Sequence, residues 1–243
     1  MTTLQPDQID YLLALLASYL TDGEIATTGV ASPLPAWAIY LAQQTHAPQL
    51  TYISCLGAVN PRLTNLPQTS DDPSTLADYE SFCSLPKLFD LAMQGRIDRM
   101  FFSGAQIDQQ ANLNLTCIGD YHQPKVKLPG IAGASSILAN VKKPVLLNLR
   151  HQPRSLVPKV DFITAQGLAN QQSIDLVTNL AVLKFTNQAV YIKQIHPWST
   201  LEEIQTQTGF ALQAELENPK IDSILAKKVL DQIDPDHMRY ELW

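Results

Sequence analysis

Residues 24–55 read EIATTGVASPLPAWAIYLAQQTHAPQLTYISC, and their pattern predicts the central part of the fold. Residues 24–28 and 50–55 are short apolar segments of the kind that forms buried strands. Between them, residues 34–45 carry apolar side chains at helical spacing, with Ser32 placed to cap the helix. A strand, a helix and a strand in this order predict a parallel pair joined by a helical crossover.

The segments further along the chain extend this α/β pattern. Residues 99–103 and 144–149 are apolar and are predicted to form two more strands. Residues 176–185 and 189–195 flank a short polar turn, which predicts an antiparallel hairpin. We therefore expect an α/β fold with an open, mostly parallel sheet flanked by helices and an antiparallel C-terminal portion. We expect residues 1–243 to form a single domain.

Residues 56–78 lack any periodicity and are rich in Asn, Pro, Ser and Asp. We interpret this segment as a long irregular loop, which in a compact domain is usually functional or disordered. Asp71 and Asp72 within it are interpreted as a solvated pair of loop carboxylates.

The composition excludes several classes of function. The chain has 243 residues and a net charge of −6, so it lacks the basic surface of a nucleic-acid-binding domain. Its apolar windows are too short to span a bilayer, and residues 1–5 carry no positive side chain of the kind that opens a signal peptide. We expect a cytoplasmic protein without membrane contact. Charged residues make up only 16%, against a typical ~25%, which suggests that another subunit covers part of the surface.

Motifs for metal binding and for several common enzyme classes are absent from the sequence. Cys55, Cys83 and Cys117 are far apart and fit neither zinc-ligand spacing nor a disulfide framework. The five histidines show no i, i+4 pair, so we predict no metal site. The sequence contains no G-x-S-x-G, no phosphate-binding P-loop and no G-x-G-x-x-G.

Glycine and small polar residues cluster where loops are predicted to follow strands. Ligands of open α/β sheets bind at the carboxyl ends of strands, where main-chain N–H groups can donate hydrogen bonds to anions or to a developing oxyanion. Asp108 fits a turn cap as well as a pocket. The candidate substrate-binding residues are Gly104, Ala105, Gln106, Asp108, Asn112, Gly130, Ala132, Gly133 and Ala134.

Two of these segments resemble a known family. Residues 103–114 (SGAQIDQQANLN) resemble the G-A-x-x-D-x-x-G-N-x-N stretch of the β subunits of class I (glutaconate-type) coenzyme A transferases. Residues 129–134 (PGIAGA) resemble the glycine-rich segment of that family, and residues 178–183 its C-terminal pattern. The likeness spans roughly residues 20–235.

The resemblance implies a three-layer α/β/α transferase fold. It implies a coenzyme A thioester as substrate and no permanently bound cofactor. It also implies an α-type partner chain in an α2β2 assembly, with a homodimer as the alternative.

The sequence departs from this family at the nucleophile. The transferases carry a catalytic glutamate in a Glu-Ser/Asn-Gly turn directly after the second strand. Here that place falls near Ile53, Ser54 and Cys55, and no acidic residue lies between Gln49 and Thr69. Covalent catalysis by a carboxylate requires the carboxylate. The β chains of steroid-ring-opening coenzyme A hydrolases, which the sequence also resembles, likewise work without such a glutamate.

Three functions therefore stay open. The first is the β chain of an acyl-coenzyme A enzyme that works with a partner and catalyses transfer, hydrolysis or C–C cleavage. The second is a thioesterase that uses Ser54 or Cys55 as its nucleophile. The third is an inactive acyl-coenzyme A-binding or assembly subunit.

Overall fold

A computed structural model describes residues 4–63, 65–130, 132–217 and 221–241. The helices of this part of the chain are α1 (Pro6–Ser18), α2 (Pro33–Gln43), α3 (Leu85–Met93), α4 (Ala134–Asn140), α5 (Leu201–Thr206) and α6 (Ser223–Ile233). Its strands are β1 (Ile25–Thr27), β2 (Thr51–Ile53), β3 (Ala58–Pro61), β4 (Tyr79–Phe82), β5 (Arg99–Phe102), β6 (Gln106–Asp108), β7 (Leu113–Asn114), β8 (Cys117–Ile118), β9 (Val126–Lys127), β10 (Lys143–Asn148), β11 (Leu156–Val157), β12 (Ser173–Thr178), β13 (Ala181–Thr186), β14 (Val190–Ile195) and β15 (Gln213–Ala214).

The chain forms two compact units. Unit 1 contains residues 4–100 and 221–241, and unit 2 contains residues 101–217. The prediction of a single domain stays a prediction.

Unit 1 is built on a parallel core, as residues 24–55 predict. Strands β5, β1 and β2 are neighbours and run parallel, and β3 and β4 continue the sheet antiparallel. Helix α2 connects β1 to β2, and its residues 34–42 are all buried. Burying an entire helix surface requires apolar residues on every side, which explains why the α2 sequence has almost no polar face.

Unit 2 contains the antiparallel portion. Strands β12, β13 and β14 are antiparallel neighbours, which confirms the predicted hairpin, while β10 and β15 flank them in parallel. Strands β6 and β7 form a separate antiparallel pair, with β11 parallel to β6. Strands β8 and β9 pair as a short ribbon.

Two predictions about local structure are wrong. Residues 56–78 are not one irregular loop, because they contain β3 and a 3₁₀ turn at Pro73–Leu76. Residues 176–185 are not one strand. The hydroxyl oxygen of Thr178 accepts hydrogen bonds from the N–H groups of Leu180 (3.1 Å) and Ala181 (2.9 Å), which reverses the chain between β12 and β13. Side-chain capping of this kind leaves no mark on hydrophobic periodicity.

A buried ion cluster fixes the C-terminal segment of unit 1 onto α1. The guanidinium of Arg239 is fully buried and donates to Asp10 at 2.8 Å and to Asp234 at 2.9 Å. It also contacts Asp231, whose side chain is 36% exposed. Asp10 and Asp234 are almost fully buried, so Arg239 compensates two carboxylates that have no access to bulk water.

We expect Arg239→Met to lower the free energy of unfolding by about 3–5 kcal/mol, because it leaves buried carboxylates without their cation. Asp231→Asn removes the exposed partner of the same cluster and is expected to cost less than about 1 kcal/mol. Urea denaturation of both variants measures the difference. Equal losses would show that the burial of Asp10 and Asp234 does not determine the stability of this cluster.

Candidate functional site

A tight hairpin turn places Cys55 directly after β2. The N–H of Ser54 donates to the carbonyl of Ala58 at 2.8 Å, and the N–H of Gly57 donates back to the carbonyl of Ser54 at 2.9 Å. Gly57 has φ +97°, a left-handed conformation that suits glycine. Cys55 is therefore the first of three loop residues, in a hairpin of the type that ends on a left-handed glycine.

Gly57 is required at this place for a second reason. A Cβ atom added to it would lie 2.4 Å from the carbonyl oxygen of Cys83, which belongs to the neighbouring chain segment after β4. The N–H of Cys83 also donates to the carbonyl of Gly57 at 2.8 Å. Close main-chain packing thus holds the turn that carries Cys55.

Ser70 joins the turn to the loop that follows β1. Its hydroxyl donates to the carbonyl of Gly29 at 2.6 Å and accepts from the N–H of Ser32 at 2.9 Å. Its own carbonyl accepts the thiol hydrogen bond of Cys55 at 3.1 Å. Ser70 is fully buried. Its hydrogen bonds therefore hold the loop after β1 and the turn after β2 against the segment that follows β3.

The environment of Cys55 keeps its thiol protonated. Burial raises the pKa of this thiol above its ordinary value, the hydrogen bond with Ser70 lowers it, and the negative charge of Asp71 raises it again. The pKa of Asp71 is itself lowered, because its carboxylate accepts hydrogen bonds from the Thr69 hydroxyl and from the N–H of Ala31. A thiol of this kind is a poor nucleophile at neutral pH but can donate a proton.

Ser54 has a different environment from Cys55. It is fully buried, and its hydroxyl oxygen accepts a hydrogen bond from the N–H of Ala58 at 3.1 Å. Cys55 is partly exposed. This difference favours Cys55 over Ser54 as the residue of this turn that can touch a substrate.

In unit 2, the predicted polar residues form a buried network. The amide oxygen of Gln106 accepts from Asn114 at 2.7 Å and from the N–H of Asp161 at 3.0 Å. Asp108 is fully buried, and one of its oxygens accepts from the N–H groups of Gln110 and Asn112, each at 3.0 Å. These side chains brace the hairpin between β6 and β7, so Asp108 acts as the turn cap that the sequence allowed.

Main-chain hydrogen bonds hold the two glycine-containing segments of unit 2, residues 103–114 and 129–134, to nearby residues. The N–H of Ala105 donates to the carbonyl of Asn114 at 2.9 Å, and the N–H of Gly130 donates to the carbonyl of Leu115 at 2.8 Å. These two N–H groups are therefore occupied and do not serve as oxyanion donors. The carbonyl of Gly104 accepts from the side chain of Asn148 at 3.0 Å.

The second glycine segment lies at the surface of unit 2. Gly130 (φ +87°) and Ala132 (φ +49°) are both exposed and left-handed, and Gly133 precedes α4, which begins at Ala134. Ile131 lies outside the described residues. The assignment of substrate binding to the nine residues named from the sequence stays a prediction.

Several residues that form the hydrogen bonds around Cys55 and around Gln106 could not be identified from the sequence. Asp71, interpreted from the sequence as a solvated loop carboxylate, also accepts hydrogen bonds from the N–H of Ala31 and the hydroxyl of Thr69. Ser70 contacts a residue 41 positions away, and Asp161 contacts one 55 positions away. Only the length of the irregular segment 56–78 could have directed attention to Ser70 and Asp71.

The described part of the chain has neither a helix that could span a membrane nor a group of metal ligands. None of its helices combines the length and apolar character needed to cross a bilayer. Its His, Cys, Asp and Glu residues form no group of three placed to hold a metal ion.

The family profile and the related sequences both identify coenzyme A transferases as the proteins that this chain resembles. The profile of the family described as Coenzyme A transferase matches residues 12–207. The β-type subunit of the 3-oxoadipate CoA-transferase of Pseudomonas knackmussii is 30% identical over 213 residues, covering 81% of this chain and 80% of that one. The β-type subunit of the glutaconate CoA-transferase of Acidaminococcus fermentans is 27% identical over 246 residues, covering 90% of each chain.

The similar proteins of known structure include a decarboxylase as well as a transferase. The decarboxylase AibA/AibB is 34% identical, with 97% of this chain and 98% of that one covered and a TM-score of 0.88. It has also been solved with one cysteine replaced by asparagine, alanine, serine or valine. Glutaconate coenzyme A-transferase from Acidaminococcus fermentans is 25% identical, with 94% and 95% coverage and a TM-score of 0.80.

We expect Gly57→Ala to destabilise the protein by about 1–3 kcal/mol more than Gly23→Ala, because it adds a main-chain clash to the conformational strain. Gly23 is a matched control, with φ +79° and no atom within 4 Å of an added Cβ. Strain alone should cost that variant about 1–2 kcal/mol. Thermal and urea unfolding compare the two variants, and equal losses would show that the contact with Cys83 relaxes freely.

We expect alkylation of Cys55 by iodoacetamide to be slow at pH 7 and to keep accelerating above pH 9, since only the thiolate reacts. The pKa of this thiol lies above its ordinary value of 9.0. Asp71→Asn removes a negative charge beside the thiol and should move the curve to lower pH. Mass spectrometry of the Cys55 peptide follows the rate, and a plateau already at pH 8 would contradict the raised pKa.

Proposed function

The chain belongs to the coenzyme A transferase family, and we propose that it is the β-type subunit of a two-subunit decarboxylase. Its proposed substrate is the coenzyme A thioester of a short dicarboxylic acid, and Cys55 is the proposed proton donor. One observation supports the proposal: the turn directly after β2, where the family motif has its catalytic glutamate, carries the Cys55 thiol, which is hydrogen-bonded to the carbonyl of Ser70 at 3.1 Å.

The turn geometry supports this correspondence. The family motif places the glutamate two residues before a glycine, directly after the second strand. In this chain Cys55 lies two residues before Gly57, and Gly57 adopts the left-handed conformation that closes the hairpin after β2. This spacing supports Cys55, rather than Ile53 or Ser54, as the residue at the proposed glutamate position.

The chemistry of a thiol differs from that of a carboxylate at this place. A glutamate attacks the thioester carbonyl and forms an acyl anhydride, which is the first step of coenzyme A transfer. A thiol with a raised pKa keeps its proton at neutral pH and is therefore available as a proton donor. The missing carboxylate and the retained proton both favour a reaction in which the thioester is kept intact.

Decarboxylation is such a reaction. In a thioester of an unsaturated dicarboxylic acid, the bond between carbon and the distal carboxylate breaks, and CO₂ leaves. The electron pair of that bond delocalises toward the thioester carbonyl as a dienolate. Cys55 then donates its proton to carbon, and the resulting thiolate takes a proton back from water. Atoms and charges balance without a cofactor.

Two sets of relatives support the substrate class and the reaction. By their names, two of the related coenzyme A transferases act on glutaconate and 3-oxoadipate, which are both dicarboxylates. AibA/AibB is named a decarboxylase, and one of its cysteines has been replaced by other residues. These relatives are subunits of two-chain enzymes, which supports an α-type partner over a homodimer.

Coenzyme A transfer is the second candidate function. The names of the curated relatives favour it, since they are transferase subunits. It would require a different nucleophile, because the sequence has no acidic residue between Gln49 and Thr69.

The experiment uses the co-purified complex of this chain with its α-type partner and glutaconyl-coenzyme A as the probe. We expect CO₂ release with retention of the thioester, and we expect Cys55→Ala to lower kcat by about 10²-fold or more, as for loss of a general acid. Cys83→Ala removes another buried thiol of unit 1 and should stay within about threefold of the unaltered complex. Headspace CO₂ and chromatography of the thioesters provide the readout.

Other outcomes would contradict the proposal in distinct ways. Transfer of coenzyme A to added acetate without CO₂ release would establish a transferase. Release of free coenzyme A with an acyl adduct on Cys55 would establish a thioesterase. Tight thioester binding without any turnover would establish an inactive subunit.

A further inference from the structure

A polar cavity of about 600 Å³ lies in unit 1, at the end of β2 that is remote from Cys55. Its walls come from the last turns of α2, the residues that lead into β2, the end of β3 and the middle of β4. Thr51, which lines it, precedes Cys55 by four residues, or about 13 Å along a strand. The volume lies within the range of about 300–1,000 Å³ that is usual for small-molecule sites. The cavity is therefore separate from the turn that carries Cys55.

Tyr40 of α2 lines this cavity, and its hydroxyl has no hydrogen-bond partner within the described part of the chain. The residue is only 7% exposed, and its ring packs edge-on against that of Tyr52 with centroids 5.5 Å apart. Burial raises the pKa of Tyr40, so the hydroxyl keeps its proton and can donate a hydrogen bond. A buried hydroxyl without a partner costs free energy, and such groups are rare in native proteins. This hydroxyl therefore favours a ligand that supplies its missing partner.

The side chain of Asn60 arranges the acceptors of the cavity. Its amide oxygen accepts from the N–H of Tyr52 at 2.8 Å and from the side chain of Gln43 at 3.2 Å, and its NH₂ group donates to the carboxylate of Glu80 at 2.8 Å. The NH₂ group of Gln43 also donates to the carbonyl of Leu50 at 2.8 Å. These bonds occupy the amide nitrogens. The amide oxygen of Gln43 and the second carboxylate oxygen of Glu80 are left to accept hydrogen bonds from a ligand.

The cavity carries one charge of each sign. Glu80 is the acid and Arg62 the base among its described lining residues. The guanidinium of Arg62 pairs with Asp78 through one nitrogen at 3.2 Å and is 67% exposed, so its other N–H groups can still bind a carboxylate. A ligand with an ammonium group for Glu80 and a carboxylate for Arg62 matches both charges. An anionic ligand would instead be repelled by Glu80 and by the net charge of −6.

Apolar side chains complete the walls of the cavity. Leu50 and Leu66 are buried, and Ile233 of α6 is partly exposed. They suit the body of a ligand whose charged groups are bound at the polar walls. We propose that the cavity binds an α-amino acid with an apolar side chain, whose ammonium group lies on Glu80 and whose carboxylate lies on Arg62. This binding site is independent of the proposed decarboxylation.

Three probes that share one aromatic ring separate the two charged ends of the ligand. L-Phenylalanine carries both ends, 3-phenylpropionate lacks the ammonium group, and 2-phenylethylamine lacks the carboxylate. Isothermal titration of the co-purified complex at neutral pH measures their affinities. We expect phenylalanine to bind at least about tenfold more tightly than either analogue, because each analogue leaves one charged group of the cavity unmatched. An analogue that binds as tightly as phenylalanine, or no binding of phenylalanine at millimolar concentration, would overturn the proposal.

Charge-removing variants assign each end of the ligand to its partner. Glu80→Gln keeps an oxygen for Asn60, and we expect it to weaken phenylalanine about tenfold while 3-phenylpropionate binds as before. Arg62→Gln should weaken phenylalanine by a similar factor and leave 2-phenylethylamine unchanged. Arg96→Gln is the matched control, because Arg96 is an exposed arginine of the same unit that does not line the cavity. Equal effects of the two arginine variants, or no effect of Glu80→Gln, would contradict the assignment.

Tyr40→Phe tests the buried hydroxyl without changing the shape of the side chain. We expect phenylalanine to bind about fivefold more weakly, while the melting temperature without ligand stays the same or rises, because no hydrogen bond within the chain is lost. Phenylalanine binding equal to that of the unaltered complex, or a lowered melting temperature, would count against a ligand at this hydroxyl. Release of CO₂ from glutaconyl-coenzyme A is measured separately, so a failure of the proposed reaction leaves the binding result intact, and the reverse holds equally.

Discussion

The hydrogen bonds of Ser70 are the constraint on which the candidate site of unit 1 depends. One buried residue ties the loop after β1, through Gly29 and Ser32, to the thiol at the end of β2. Parallel strands bring their carboxyl ends to one edge of a sheet, but they leave the loops there free to diverge. Ser70 removes this freedom, and Gly57 fixes the turn from its other side.

Under the proposed function, a thiol takes the place of a carboxylate on the same scaffold, and this changes the reaction that the scaffold can catalyse. A fold hosts different reactions through the residues placed at its site. Two glutamates of unit 1 that flank this turn in sequence have other partners: Glu24 is buried beside Arg99, and Glu80 accepts a hydrogen bond from Asn60 at 2.8 Å. The thiol of Cys55 is thus the acidic group presented by the turn itself.

Much of the fold could be predicted from the sequence, because periodicity records which side of an element is buried. Residues 24–55 indicated the parallel core, and residues 189–195 indicated one strand of the hairpin. The errors in predicting the fold have local causes. The Thr178 side chain reverses a segment that otherwise has strand character, and β3, which ends at Pro61, is too short for periodicity to reveal. At the site, the missing glutamate directed attention to Cys55, but the roles of Ser70 and Asp71 require the tertiary fold.

The pairing of Asp10 with Arg239 sets an order of events during synthesis. The two residues are 229 positions apart. At about 5–20 residues per second, the carboxylate on α1 waits roughly 10–45 s for its cation to be translated. All of unit 2 is translated within that interval. Every residue of unit 2 is therefore joined to the chain before unit 1 receives the last segment of its own structure.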